Sequence, residues 1–239
     1  MTLSYSPLAT RITEGVRDPA LATLRDVFGV LLHTTGRGVV AQAKVERRKP
    51  LDVAIEIYLD SQNDPDGDRG YKWGGPHYVI DHDGKRYQIA PEEARTHHAG
   101  SENRPAYLSG HWSAKCSGAT LAAWRAKWPT YRHPYSLFPS RSPNWDYIGI
   151  EMIPCGYGFG QPMSPGLLFT KEQHDSAAEL ATEIGNRHGF PDGWQNTSRL
   201  LGHEDVDILE RMDSHGGWDP GFLRAAPYFD FSYVRARVS

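Results

Sequence analysis

Two short apolar runs end in the same way. Val27-Phe28-Gly29-Val30-Leu31-Leu32 leads into His33, and Leu200-Leu201-Gly202 leads into His203. A continuous apolar run of this length, followed by polar turn residues such as Thr34-Thr35-Gly36, has the pattern of a buried strand. Taken singly, each histidine reads as a locally hydrogen-bonded residue. Taken together, two imidazoles at the ends of two strands can face one crevice, which is where open sheets place their sites.

The intervening chain supplies a sheet and its cover. Residues 50–62 predict a helix, with Pro50 in the first turn and Val53, Ile57 and Tyr58 on one face. Residues 77–90 give two strand-like runs around Asp83-Gly84, a strong hairpin signal. In residues 145–154, Ile148 and Ile150 alternate against Gly149 and Glu151, as in a strand. Residues 170–189 predict the best helix: Thr170 and Gln173 form a capping-box pair, Ala177, Leu180 and Ile184 share a face, and Gly189 suits the end. Strands alternating with helices, with a hairpin among them, predict an α/β (α+β) domain built on one central mixed sheet. Pro105, Pro129, Pro134, Pro139 and Pro143, set among Tyr, Trp and Ser, mark residues 101–144 as an insertion over one face. The expected organisation is a lead-in over 1–24, one domain over 25–228 and a tail over 229–239.

Composition narrows the functions. The formal net charge of −3 leaves no general basic field to attract nucleic acid. No window approaches the roughly 18 apolar residues of a membrane span. The first residues lack a basic stretch followed by an apolar core, so synthesis in the cytoplasm without a signal peptide is expected. Cys116 and Cys155 form no CxxC and read as free thiols.

Chemistry concentrates near the second histidine. Asp219 sits in Gly217-Trp218-Asp219-Pro220-Gly221, where a rigid turn can hold a carboxylate, although an ordinary turn residue explains it equally well. Two imidazoles and one carboxylate would make a catalytic zinc set with the fourth position left to water. The spacing is not that of a short-range motif such as HExxH, and neither cysteine lies near a His/Asp cluster.

Four ordered stretches, LLHTTG, HYVIDHDGKRYQIAPEEARTHHAG, YIGIEMI and GHEDV…DPG, resemble the zinc-dependent N-acetylmuramoyl-L-alanine amidases, relatives of phage lysozyme-type amidases and peptidoglycan recognition proteins. The resemblance spans about residues 27 to 226. It implies one zinc ion per chain held by His33, His203 and Asp219. It also implies a peptidoglycan or muropeptide substrate, cleaved between the lactyl group of N-acetylmuramic acid and L-alanine. Without a signal peptide, such an enzyme would reach the wall after lysis or by non-classical export.

The resemblance also frames the other candidates. Some relatives use a tyrosine as base just before the HYVI strand; here that position is Pro76. Others use a glutamate matching Glu151, whose apolar neighbours Ile150 and Met152 predict a pKa raised by desolvation. Many relatives carry a lysine two residues before the DPG acid, where this chain has Gly217. His215 could supply the missing cation, replace a ligand, or stand by; Arg211 is a weaker candidate. His77 matches a histidine that is not a ligand. His98, in a motif lining the groove, is expected to contact substrate or to serve structure, and not to bind zinc; Trp112, Trp145 and Tyr147 are expected to wall the groove and stack on sugars, or only to anchor the insertion. The rival reading is a peptidoglycan-recognition module without catalysis, which the presence of Glu151 and Asp219 argues against.

Overall fold

The computed structural model describes residues 4–13, 26–63, 75–94, 96, 98, 146–206, 219–220 and 227–239. Six strands form one sheet: β1 (Thr10–Arg11), β2 (Gly29–Thr34), β3 (Tyr78–Ile80), β4 (Arg86–Gln88), β5 (Tyr147–Met152) and β6 (Leu200–Gly202). Their spatial order is β1-β4-β3-β5-β2-β6. Only β3 and β4 run antiparallel; the other neighbouring pairs are parallel. The sheet is therefore mixed, as the pattern of hairpin plus strand–helix alternation predicts. The hairpin turns where Asp83-Gly84 stands: Gly84 has φ of 77°, open to a residue without Cβ, and Asp81 N–H donates to Lys85 O at 3.0 Å.

Helices α1 (Arg37–Glu46), α2 (Pro50–Asn63), α3 (Lys171–Arg187), the single turn α4 (His203–Val206) and α5 (Phe231–Arg235), with a 3-10 turn at Trp194–Asn196, complete the described elements. Strand alternation sends Val30, Leu32, Tyr78, Ile80, Ile148, Ile150 and Met152 to one face, where they meet Ala177, Leu180, Ala181 and Ile184 of α3. Each fully buried Leu or Ile of that stripe stabilises by about 1.5–3 kcal/mol. Thr170 Oγ1 accepts from Gln173 N–H at 3.0 Å, and Gln173 Oε1 accepts in return from Thr170 N–H at 3.0 Å, so the expected capping box is present. On the other face Val79 packs with Val39, Val40 and Ala43 of α1 and Leu51, Val53 and Ala54 of α2.

Three readings of the sequence change. Ile57 is 38% exposed, and the inward stripe of α2 runs instead through Leu51, Ala54 and half-buried Tyr58. Those positions are spaced i, i+3, i+7, and Ile57 lies one residue off that line. The lead-in contributes β1, which pairs with β4 at the sheet edge; two exposed residues give no periodicity to read. The tail is core: Phe229, Phe231, Val234 and Val238 join the cluster under α3. Buried His174 explains part of this docking. Its ring stacks on Phe229 at 4.5 Å, its Nδ1–H donates to Thr170 O at 2.7 Å, and its Nε2 accepts from Asp230 N–H at 3.1 Å.

A buried ion cluster ties the end of the hairpin to α3. The Glu92 carboxylate accepts from Tyr78, Arg187 and His188. Burial alone would raise its pKa, but the hydrogen bonds from His188, Arg187 and Tyr78 outweigh that and hold it below the ordinary value.

Candidate metal centre

The register of β2 against β6 builds the site. Leu32 pairs with Gly202, so the next residues, His33 and His203, emerge side by side at the strand ends. Their Nδ1 atoms lie 3.0 Å apart, and the rings meet at 4.5 Å and 63°. Asp205 Oδ2 accepts from Gly202 N–H at 3.0 Å and ties down the turn that carries His203. Asp219 closes the corner. Its Oδ2 lies 2.8 Å from His203 Nδ1 and its Oδ1 4.0 Å from His33 Nδ1. Thr34 N–H donates to that same Oδ1 at 2.8 Å and orients the carboxylate.

All three residues are buried, and one ligand atom from each lies within 4.8 Å of the others. The donor set suits a divalent cation. Two ring nitrogens facing each other at 3.0 Å set their lone pairs in opposition unless a proton or a cation lies between them, and a carboxylate supplies the countercharge. Two imidazoles and one carboxylate match the nitrogen and oxygen preference of zinc. Cys155, the cysteine among the described residues, is buried with its thiol pKa pushed up to about 11 by desolvation, and it is not part of this group.

Glu151 stands directly across from His33 in the β2–β5 register and across from Val79 in the β3–β5 register. It is 8% exposed, on an interior strand rather than an edge. Tyr58 of α2 reaches the same place. The residue is half-buried, and its phenol lies near enough to Glu151 and Asp219 to feel both charges. Burial first, and then the charges of Glu151 and Asp219, raise its pKa well above the ordinary tyrosine range, so the phenol remains a donor. Its ring crosses Gly75 so closely that a Cβ there would fall 2.7 Å from Tyr58 Cδ1. Sequence reading places Tyr58 on the packed face of a helix and misses its polar end. The available signal was a tyrosine at the inner stripe of α2, in a chain whose usual tyrosine position holds Pro76.

The remaining candidates separate. His98 is buried, with Nδ1 3.0 Å from His33 Nε2 and Nε2 3.0 Å from the Tyr147 carbonyl. Tyr147, expected along a sugar-stacking wall, is 3% exposed; it packs with Leu31 and Leu201, and its hydroxyl donates to Ser198 O at 2.7 Å. Its ring is committed to the interior because residue 147 lies on the same face of β5 as Gly149 and Glu151, under the site. His77 keeps a backbone role: its Nε2–H donates to Ala94 O at 2.9 Å, and its Nδ1 accepts from Gly149 N–H at 3.0 Å. His215, Arg211, Trp112 and Trp145 lie outside the described residues.

Fold and site together define an α/β domain with a buried two-histidine, one-carboxylate corner at the carboxyl ends of parallel strands. The chain belongs to the N-acetylmuramoyl-L-alanine amidase family, which it matches over residues 24–222. No curated protein sequence matches it. Among solved structures it is similar to the N-acetylmuramoyl-L-alanine amidase LysC from Clostridium intestinale URNW, at 15% identity over 97% of both chains with a TM-score of 0.45. It is also similar to an AmpD derivative, at 16% identity over 100% of both chains with a TM-score of 0.47. A third is PGRP-Hd from Alvinella pompejana, at 12% identity over 85% of this chain and 94% of that one, with a TM-score of 0.43.

Proposed function

We propose that this amidase hydrolyses the amide between the lactyl group of N-acetylmuramic acid and L-alanine, in peptidoglycan or its soluble fragments, with zinc held by His33, His203 and Asp219. The observation that carries the reading is the convergence of those three buried side chains, with Glu151 across the strand from one of them. When bound, zinc supplies Lewis acidity toward the scissile carbonyl and makes water acidic enough to attack near neutral pH.

The chain's own groups supply the rest. Glu151 takes the proton of the attacking water and delivers it to the departing L-alanine nitrogen. Tyr58, whose phenol keeps its proton beside the charges of Glu151 and Asp219, is placed to act as a donor toward the Glu151 carboxylate. Thr34 N–H fixes Asp219 from behind. His215 remains a candidate for stabilising the oxyanion.

A defined muropeptide digested with and without chelator tests the reading. Release of the free peptide, abolished by chelator and restored by zinc, is the expected result. Binding of the muropeptide with no cleavage at any zinc concentration would leave only a recognition module.

A further inference from the structure

We propose that His98 is a positioning residue of the metal corner: it holds the proton of His33 on Nε2, so that His33 offers the lone pair of Nδ1 to the ion. This rests on the ligand assignment above and adds a residue that acts through one of the ligands. It also moves His98 from the substrate groove, where its motif suggests it belongs, to the support of the metal.

Which atoms can donate fixes both tautomers. The Tyr147 carbonyl can only accept, and His98 Nε2 lies 3.0 Å from it, so that nitrogen carries a proton. A neutral His98 then has a bare Nδ1, which accepts. His33 Nε2 faces that acceptor at 3.0 Å and must donate. The remaining nitrogen of His33, Nδ1, is the one directed at His203 and Asp219. The carbonyl of one strand thus sets, through two imidazoles, which nitrogen of the ligand is unprotonated. Metal-bound histidines commonly donate their second N–H to a carbonyl or carboxylate, which fixes the tautomer and ring orientation. Here an imidazole stands between ligand and carbonyl.

The seat for that imidazole is built into β5. A Cβ at Gly149 would fall 2.5 Å from His98 Cγ and 2.7 Å from its Nδ1. The strand lacks a side chain at the position where the ring lies. His77 packs its ring edge-on to His98 at 5.6 Å and is itself fixed by the Gly149 N–H and the Ala94 carbonyl. His98 is thus held by β5 below, His77 on one side and His33 on the other, and it is 8% exposed. A groove residue would not need a glycine cut for it in a buried strand.

The test measures zinc affinity of the full chain by competition with a chromophoric chelator, for wild type and for His33→Ala, His98→Ala and His98→Asn. Asparagine places Oδ1 where His98 has Nδ1, so it can still accept from His33. His98→Ala should bind zinc about 10- to 100-fold more weakly, and His98→Asn should recover most of that loss. Nitrogen-15 correlation of the zinc-loaded wild-type rings should place the His33 proton on Nε2, a readout that needs no variant to fold. If His33→Ala binds zinc like wild type, the ligand assignment itself is wrong. If His33→Ala loses zinc but His98→Ala does not, or if the His33 proton is found on Nδ1, the ligand assignment stands and the role of His98 is overturned.

Discussion

Replacing Glu151 with Gln removes one proton-accepting oxygen and almost nothing else. The side chain keeps its length and its buried place across from His33. Glu151 is not one of the three residues that could hold the ion, so zinc content should be unchanged. A positioned general base is worth about 10²- to 10⁴-fold in rate. At about 1.4 kcal/mol per tenfold, that is roughly 3–5 kcal/mol of the barrier. We predict that Glu151→Gln lowers kcat on a defined muropeptide by at least ~100-fold, with KM changed by less than about threefold. The assay is release of the free stem peptide, followed by chromatography, on protein whose zinc content and melting temperature have been checked. A variant with full zinc, normal melting and kcat within about tenfold of wild type would remove Glu151 from the mechanism and leave the base to another group.

Two further predictions test groups that the active centre and the core depend on. Tyr58→Phe deletes the hydroxyl proposed as a donor toward Glu151 and should lower kcat about tenfold or more while zinc binding is kept; unchanged kcat would make the tyrosine a packing residue only. His174 is kept neutral in the fold because burial lowers its pKa, against weaker opposing effects from the Thr170 carbonyl, Asp230 and Asp175. The unfolded chain therefore binds a proton first as pH falls below about 6.5, so this stabilisation is complete above that pH and is lost on further acidification. His174→Gln should flatten the dependence of melting temperature on pH below about 6.5, and an unchanged slope would contradict the assignment.

The sequence made some of this legible, for physical reasons. β2 and β6 could be read because strands buried on both faces are written in near-continuous apolar runs, and β5 because Ile148 and Ile150 alternate with Gly149 and Glu151. α3 could be read because its cap and its inward stripe agree. The metal corner was half legible: His33 and His203 end apolar runs, but only the resemblance, and then the register of Leu32 with Gly202, brings them together. Tyr58, the seat of His98 against Gly149, and the inward turn of Tyr147 were not legible. Each depends on where a side chain points across the sheet, which residue type and spacing do not encode. The tail was missed because five helical residues are too few to show a period, although Phe229 and Phe231 carry the burial.

X-ray absorption at the zinc edge of the reconstituted protein reads the metal's ligand shell itself. One zinc ion per chain is expected, bound only by nitrogen and oxygen, with the multiple scattering of two imidazoles and no sulfur in the shell. One imidazole should disappear in His33→Ala and likewise in His203→Ala. A shell containing sulfur, or one whose imidazole count is unchanged in both variants, would show that the ion lies elsewhere and that the corner formed by His33, His203 and Asp219 is not the metal centre.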